Sequence, residues 1–109
     1  MKNKKAGNRA RIATLGPEGT FSHQAALRYS PKASLLFVKT VRDVFEAVHS
    51  SKASCGIVPL ENSLSGTIGQ TLDWLLQFPL HIGAEIVVPV QHCLVGFGNL
   101  SSVKTVFVQ

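Results

Sequence analysis

Short apolar runs mark three predicted strands in the first part of the chain. They occupy residues 11–15 (RIATL), 34–38 (SLLFV) and 54–59 (SCGIVP). Each run is too short for a typical helix and is bounded by turn-forming or polar residues, which favours strands. The third run is apolar without alternation, which is typical of a strand covered on both faces.

Stretches with apolar residues at helical spacing follow the three strands and predict three helices. They lie at about residues 21–29, 41–48 and 68–76. In the third stretch, the predicted buried stripe consists of Ile68, Leu72, Leu75 and Leu76. Thr20 and Thr40 precede the first two helices and are suited to N-cap them. The alternation predicts an α/β fold with a mostly parallel sheet flanked by helices.

The remainder of the chain contains further apolar runs and no helical pattern. Residues 81–90, 92–96 and 104–108 predict three more strands, with a loop at residues 98–102. No helix follows the last strand, although a parallel edge strand is normally followed by a crossover. We therefore expect the chain to stop within a domain.

Composition and charge limit the classes of protein to which this chain can belong. Hydrophobic residues make up 45% of the chain and charged residues 16%, as in globular domains, and no apolar run is long enough to cross a bilayer. The net charge of +5 comes from the start: residues 1–11 hold five of the 11 basic residues, and the other six balance six acids. We predict a disordered basic tail over residues 1–10, with a nucleic-acid-binding arm as the alternative. We expect neither nucleic acid nor membrane as a partner.

The cysteines and histidines provide no metal or redox motif. Cys55 and Cys93 form no C-x-x-C pair and lie in apolar runs, so both are expected to be small buried hydrophobic residues in a reducing, cytoplasmic compartment. The four histidines lack metal-ligand spacing, and no glycine-rich nucleotide loop is present. We expect no cofactor and no metal. Of the histidines, His92 is a candidate acid or base and His23 is expected to be structural.

Two segments rich in hydrogen-bond donors follow predicted strands, at the edge where α/β sheets bind ligands. In residues 16–22 (GPEGTFS), glycines allow close backbone approach and the next helix offers free N–H groups. The second segment follows the predicted strand at residues 54–59, and its Asn62 and Ser63 add neutral donors. Together the segments predict a pocket for carboxylates. The alternative is that Thr20 only caps its helix and that Asn62 and Ser63 are ordinary loop residues.

Three motifs resemble those of prephenate dehydratases, in the same order. They are LGPEGTFSHQAA at residues 15–26, VPLENSLSGTIG at residues 58–69 and EIVVPVQHCL at residues 85–94. The resemblance implies a fold like that of type II periplasmic binding proteins, with two α/β lobes around a cleft. Residues 11–88 would form the first lobe, and residues 89–109 would begin a second lobe that is incomplete here.

The resemblance also implies a reaction, the conversion of prephenate to phenylpyruvate with loss of water and carbon dioxide, without a cofactor, in phenylalanine biosynthesis. The substrate-binding residues implied by the motifs are Thr20, Phe21, Ser22, Glu61, Asn62, Ser63 and Gly66. We expect Glu61 to have a supporting role, because its charge would repel an anionic substrate. The catalytic T-R-F motif of the family does not occur in this sequence. The catalytic threonine would lie beyond Gln109, so we expect this chain alone to be inactive.

Several alternatives remain open at this stage. The chain could be a non-catalytic module that binds small carboxylates, or part of an arogenate dehydratase acting on the amino analogue of prephenate. An incomplete second lobe also leaves an open sheet edge near residues 103–108. We therefore expect a homo-oligomer, with exchange of the terminal segment between chains as one route.

Overall fold

The computed structural model describes residues 11–62 and 66–108. The predicted basic tail, residues 1–10, and Ser63 lie outside the described residues. Within the described part, the chain folds into a parallel sheet with helices on both faces, as the sequence predicts.

Three parallel strands form the central sheet: β1 (Arg11–Leu15), β2 (Ser34–Val38) and β3 (Cys55–Ile57), in the order β2-β1-β3. In the central strand, Ile12 lies opposite Leu35 of β2 and Cys55 of β3. β3 is shorter than the predicted run of residues 54–59. Its Cys55 and Ile57 are only half-buried, so the prediction of cover on both faces is wrong. The reason is that β3 forms an edge of the described sheet.

The three helices are α1 (Phe21–Tyr29), α2 (Val41–His49) and α3 (Gly69–Gln77). The two predicted N-caps are confirmed: the Thr20 hydroxyl accepts a hydrogen bond from the His23 N–H at 3.1 Å, and the Thr40 hydroxyl accepts one from the Asp43 N–H at 3.0 Å. α3 begins without a side-chain cap.

α1 and α2 cover opposite faces of the sheet. The chain crosses from β1 outward to β2 and then back past β1 to β3, and right-handed crossovers in opposite directions place their helices on opposite faces. On the α2 face, Ala13 packs with Val44 and Ala47 in the main hydrophobic core. On the other face Ile12 and Thr14 are fully buried, which requires the cover that α1 provides.

α3 packs against α2 through aromatic contacts, and not through its predicted stripe. The Phe45 and Phe78 rings lie 5.6 Å apart, and the Arg42 guanidinium stands 5.7 Å from the Trp74 ring centroid. The buried position of α3 is Thr71, whereas Leu76 is 88% exposed. The predicted stripe of Ile68, Leu72, Leu75 and Leu76 is therefore wrong as the buried face. The helix is rotated so that Trp74 and Phe78 face α2, whereas the Thr71 hydroxyl bonds to the Pro59 carbonyl.

A short hairpin between the sheet and α3 was not anticipated from the sequence. β4 (Glu61–Asn62) pairs antiparallel with β5 (Gly66–Thr67), with Glu61 opposite Thr67 and Asn62 opposite Gly66. Gly66 adopts a φ of +74°, a conformation that favours glycine.

The three strands predicted after α3 are wrong. Residues 81–90, 92–96 and 104–108 form no ladder with any described strand, and the regular element there is a 3-10 turn at Leu100–Ser102. A strand needs a hydrogen-bonding neighbour, and no described segment pairs with these residues. The segment touches the rest of the fold where the Arg28 side chain donates to the Val87 carbonyl at 2.7 Å. Cys93 lies in it and is exposed, which corrects the expectation that it is buried.

Across residues 11–62 and 66–108, no helix has both the length and the hydropathy of a membrane span.

Candidate functional site

The strand order places a topological switch point at the carboxyl ends of β1 and β3, where a crevice is expected. The connection after β1 leads to α1 on one face of the sheet, whereas the connection after β3 leads through the β4–β5 hairpin to α3, which packs on α2. Neighbouring connections that diverge in this way leave an opening between them. In open α/β sheets this topological switch point is where ligands bind.

Residues 16–22 form the first corner of this crevice. The chain leaves β1 with the Gly16 N–H bonded to the Val38 carbonyl at 2.9 Å, and Gly19 turns it with a φ of +91°. The Thr20 hydroxyl, besides capping α1, donates to the Leu15 carbonyl at 3.3 Å. Thr20 therefore ties the start of α1 directly to the end of β1.

His23 also holds the first corner in place. Its Nδ1 accepts a hydrogen bond from the Gly19 N–H at 2.9 Å, and its ring meets the Phe37 ring edge-on at a centroid distance of 5.2 Å. An accepting Nδ1 carries no proton, so this arrangement requires the tautomer protonated at Nε2. These contacts agree with the structural role expected for His23.

The first turn of α1 presents free donors toward the crevice end of the sheet. Within the part of the chain that the structure describes, the backbone N–H groups of Phe21 and Ser22 find no acceptor. The first turn contains no acidic residue to compete for them. Together with the partial positive charge of the helix start, these two N–H groups can receive the oxygens of a carboxylate.

Residues 58–62 form the second corner, and α3 anchors it. The Thr71 hydroxyl donates to the Pro59 carbonyl at 2.6 Å, and the Ile68 N–H donates to the Leu60 carbonyl at 2.7 Å. Beyond these bonds, Glu61 and Asn62 are exposed in β4. The carboxamide of Asn62 is the neutral donor that this corner contributes.

The structure brings the two predicted segments to adjacent strand ends. Thr20, Phe21 and Ser22 follow β1, whereas Glu61 and Asn62 follow β3. Gly66 lies opposite Asn62 across the hairpin. Neighbouring strands are about 4.8 Å apart, so the two segments leave the sheet from adjacent positions at one edge. His92, the candidate acid or base, lies in the segment after α3 and is exposed.

Sequence reasoning missed Thr71, which is 1% exposed and holds the second corner. A signal was available, because a threonine in the first turn of a helix that follows a corner can bond back to it. The apolar spacing of Ile68 and Leu72 favoured a different face of α3 as the buried one.

The two corner segments carry negative charge and no positive charge. Neither residues 16–22 nor residues 58–62 include a lysine or arginine, while Glu18 and Glu61 contribute two exposed carboxylates. Recognition of an anion by these corners therefore depends on neutral donors and on the start of α1. In the described parts of the chain, no cluster of histidine, cysteine, aspartate and glutamate is arranged to hold a metal ion.

Comparison with known proteins identifies the family. The prephenate dehydratase family model matches residues 12–109, nearly the whole chain. The chain belongs to the prephenate dehydratase family. The resemblance of its three motifs is thereby confirmed.

The relatives of this chain in the family are longer proteins. It is 38% identical over 99 residues to a bifunctional chorismate mutase/prephenate dehydratase of Aquifex aeolicus, covering 89% of this chain and 27% of the relative. The corresponding Escherichia coli K12 protein is 36% identical, with 96% of this chain and 29% of the relative covered. An arogenate dehydratase/prephenate dehydratase 2 of Arabidopsis thaliana is 36% identical, with 81% and 23% covered. The chain thus spans less than a third of the length of these curated relatives.

A solved structure of a family member supports the fold of this chain. The prephenate dehydratase of Streptococcus mutans superposes with a TM-score of 0.59 at 41% sequence identity, covering 62% of this chain and 35% of that protein. The predicted fold class, a parallel sheet flanked by helices in a lobe like those of periplasmic binding proteins, is confirmed.

Proposed function

We propose that this chain provides one wall of a prephenate-binding cleft in a prephenate dehydratase. The observation that supports this is the position of the two donor corners at the ends of adjacent parallel strands, β1 and β3, on either side of a switch point. The family motifs lie in these same corners. Thr20, Phe21, Ser22, Glu61, Asn62, Ser63 and Gly66 are the proposed substrate-binding residues.

The chemistry of prephenate suits these groups. It carries two carboxylates and a ring hydroxyl, and its dehydration must hold the dianion in one pose while the hydroxyl leaves and carbon dioxide is lost. The free N–H groups of Phe21 and Ser22 are preorganised donors for a carboxylate. The Asn62 amide can donate to a second polar group of the substrate without adding charge.

The same corners lack the groups that complete the reaction. They hold no cation to balance a dianion, and the described residues hold no T-R-F motif. We propose that these groups come from sequence present in the longer relatives and that residues 89–109 begin the second lobe. Purified chain mixed with prephenate is then expected to form no phenylpyruvate above the uncatalysed rate. Phenylpyruvate formation at enzyme-like rates would contradict this.

Binding can be tested separately from catalysis. Isothermal titration calorimetry is expected to show that prephenate, with two carboxylates, binds more tightly than phenylpyruvate, with one. Asn62→Asp retains the size of the side chain but places a negative charge at the second corner, so it is expected to weaken prephenate binding about tenfold. Asn99→Asp makes the same change before the 3-10 turn and serves as the matched control.

The outcome of this titration also separates the enzyme from a plain carboxylate-binding module. Equal affinity for prephenate, phenylpyruvate and unrelated small carboxylates would favour the module. Equal loss of affinity in the Asn62→Asp and Asn99→Asp variants would contradict a role for the second corner.

Arogenate is the second candidate substrate. The Arabidopsis relatives are named arogenate dehydratase/prephenate dehydratase. Arogenate carries an ammonium group where prephenate carries a keto group, and the exposed carboxylates of Glu18 and Glu61 could accept hydrogen bonds from it. Titrating both compounds into the same chain ranks them directly.

Two further proposals concern the setting of the chain. The exposed apolar side chains after α3 support the proposal that copies of the chain associate. Both cysteines are free thiols, which supports the proposed reducing, cytoplasmic location.

A further inference from the structure

Thr71 is a buried polar residue that the proposed substrate-binding set does not include. It lies in the first turn of α3 and is 1% exposed, and its hydroxyl donates to the Pro59 carbonyl at 2.6 Å. A second fully buried threonine, Thr14 of β1, behaves differently: its hydroxyl has no hydrogen-bond partner in the described part of the chain. Burial of Thr71 therefore comes with a specific bond, whereas burial of Thr14 does not.

The bond made by Thr71 closes the base of the hairpin that carries the second corner. It joins residues 12 positions apart, and the intervening chain contains all of β4 and β5. One other bond, from the Ile68 N–H to the Leu60 carbonyl at 2.7 Å, connects the same two segments. Since α3 is fixed to α2 by aromatic contacts, these two bonds set the position of β4 relative to the sheet.

Loss of the Thr71 hydroxyl would release one of these two fixed points. The Pro59 carbonyl would lose its buried donor, and the exit from β3 could then shift to reach water. Glu61 and Asn62 follow Pro59 by two and three residues, so they would move with it. The first corner, which Thr20 and His23 hold independently, would stay in place.

We propose that Thr71 is a positioning residue for substrate binding. By fixing the Pro59 carbonyl, Thr71 places Asn62 at the crevice. It does not touch the substrate. The inference rests on the proposed function, because it assumes that prephenate contacts the second corner.

The test is a residue-resolved nuclear magnetic resonance titration of the whole 109-residue chain with prephenate. In the unaltered chain, prephenate is expected to shift the amide signals of Phe21 and Ser22 and the side-chain amide signal of Asn62. In Thr71→Val, which retains the shape without the hydroxyl, the Asn62 response is expected to disappear and the affinity to fall about tenfold. The Phe21 and Ser22 responses should persist at higher prephenate concentration.

Two controls separate positioning from general loss of stability. Thr71→Ser retains the hydroxyl and is expected to bind within about twofold of the unaltered chain, a change well below the cost of a lost buried bond. Thr14→Val also removes a buried threonine hydroxyl, but one that has no hydrogen-bond partner in the described part of the chain. In this variant, prephenate should still shift the signals of both corners. If Thr71→Val does not fold, Thr71→Cys, a weak donor of similar size, takes its place with the same expectation.

The outcomes separate this inference from the proposed function. Absence of any response at either corner in the unaltered chain would overturn the proposed function, and this inference with it. A normal response of the unaltered chain together with an unchanged Asn62 response in Thr71→Val would overturn this inference alone. A parallel loss of response at both corners in Thr71→Val would also overturn it, since that is the result of a merely structural role.

Discussion

Single side chains that are held by hydrogen bonds to the backbone position the proposed cleft wall. Thr20 is the clearest case, because one hydroxyl caps α1 and also bonds back to the Leu15 carbonyl. The cap could be predicted, since a threonine before an amphipathic stretch is a local signal. The position of Thr71 in the first turn of α3 also permits a bond back to the preceding corner. Which face of α3 is buried does not follow from the sequence, because it depends on how α3 packs against α2.

Replacement of Thr20 by valine should affect both stability and binding. Loss of the cap is expected to lower the free energy of unfolding by about 1 kcal/mol and to weaken prephenate binding, because the first corner is released. Thr40→Val is the matched control, since it removes the equivalent cap of α2, which belongs to neither corner. Thr40→Val should lower the free energy of unfolding, measured by chemical denaturation, by a similar amount. It should leave the affinity for prephenate unchanged. Equal loss of affinity in both variants would show that Thr20 acts only through stability.

The two cysteines should differ in reactivity. Burial raises the pKa of the Cys55 thiol, with a smaller opposing effect from its hydrogen bond with Ser54, so less thiolate is present at any given pH than in an ordinary thiol. Cys93 is exposed. Iodoacetamide is therefore expected to alkylate Cys93 first at pH 8, as peptide mass spectrometry would show. The raised pKa also means that stability linked to Cys55 is present at neutral pH and declines as pH rises through the folded-state value. Faster labelling of Cys55 would contradict its burial.

At the scale of elements, the packing of α2 on the sheet depends on Gly56. A Cβ at Gly56 would lie 2.5 Å from Val44 Cγ1 and 3.1 Å from Val48 Cγ2, so α2 would have to move. Gly56→Ala is expected to lower the free energy of unfolding by about 1–3 kcal/mol in urea denaturation. Gly69→Ala at the start of α3, where a Cβ meets nothing within 4 Å, is the control and should cost nothing. Equal stability of the two variants would contradict the close approach of α2.

The elements differ in how far the sequence predicts them. β1, β2, α1 and α2 match their predicted positions because local spacing and caps agree with the tertiary packing. The buried face of α3 is not predicted correctly, because apolar residues lie on more than one side of this helix. The contact between Phe78 and Phe45 of α2 determines which side is turned inward. The β4–β5 hairpin has strands of two residues, too short for any periodic signal.

The predicted strands after α3 fail for a different reason. Residues 81–108 have apolar character suited to strands, yet a strand forms only with a neighbour, and sequence periodicity does not supply one. The position of the proposed site, after two adjacent strands, was more predictable than this segment. Glycines and small polar residues at strand ends mark it locally, and the switch point follows from the order of elements.

At the scale of the whole molecule, a long apolar surface remains exposed. Phe97 and Phe107 are fully or almost fully exposed, and Leu100, Val103 and Val106 between them are also exposed. Surfaces of this kind promote association. Multi-angle light scattering is expected to show a mass that rises above the monomer with concentration. The double variant Phe97→Ser/Phe107→Ser should reduce the rise, whereas Thr40→Ser, a mild change away from this segment, should not. A monomer at every concentration would contradict self-association.

In the proposed complex, the corner after β1 and the corner after β3 face one substrate. Intermolecular nuclear Overhauser effects between the ring protons of bound prephenate and backbone amides of the chain test this arrangement most directly. Effects are expected to amides of residues 20–22 and of residues 60–62 in the same complex. Effects to one corner only, or to residues 81–108 alone, would contradict it.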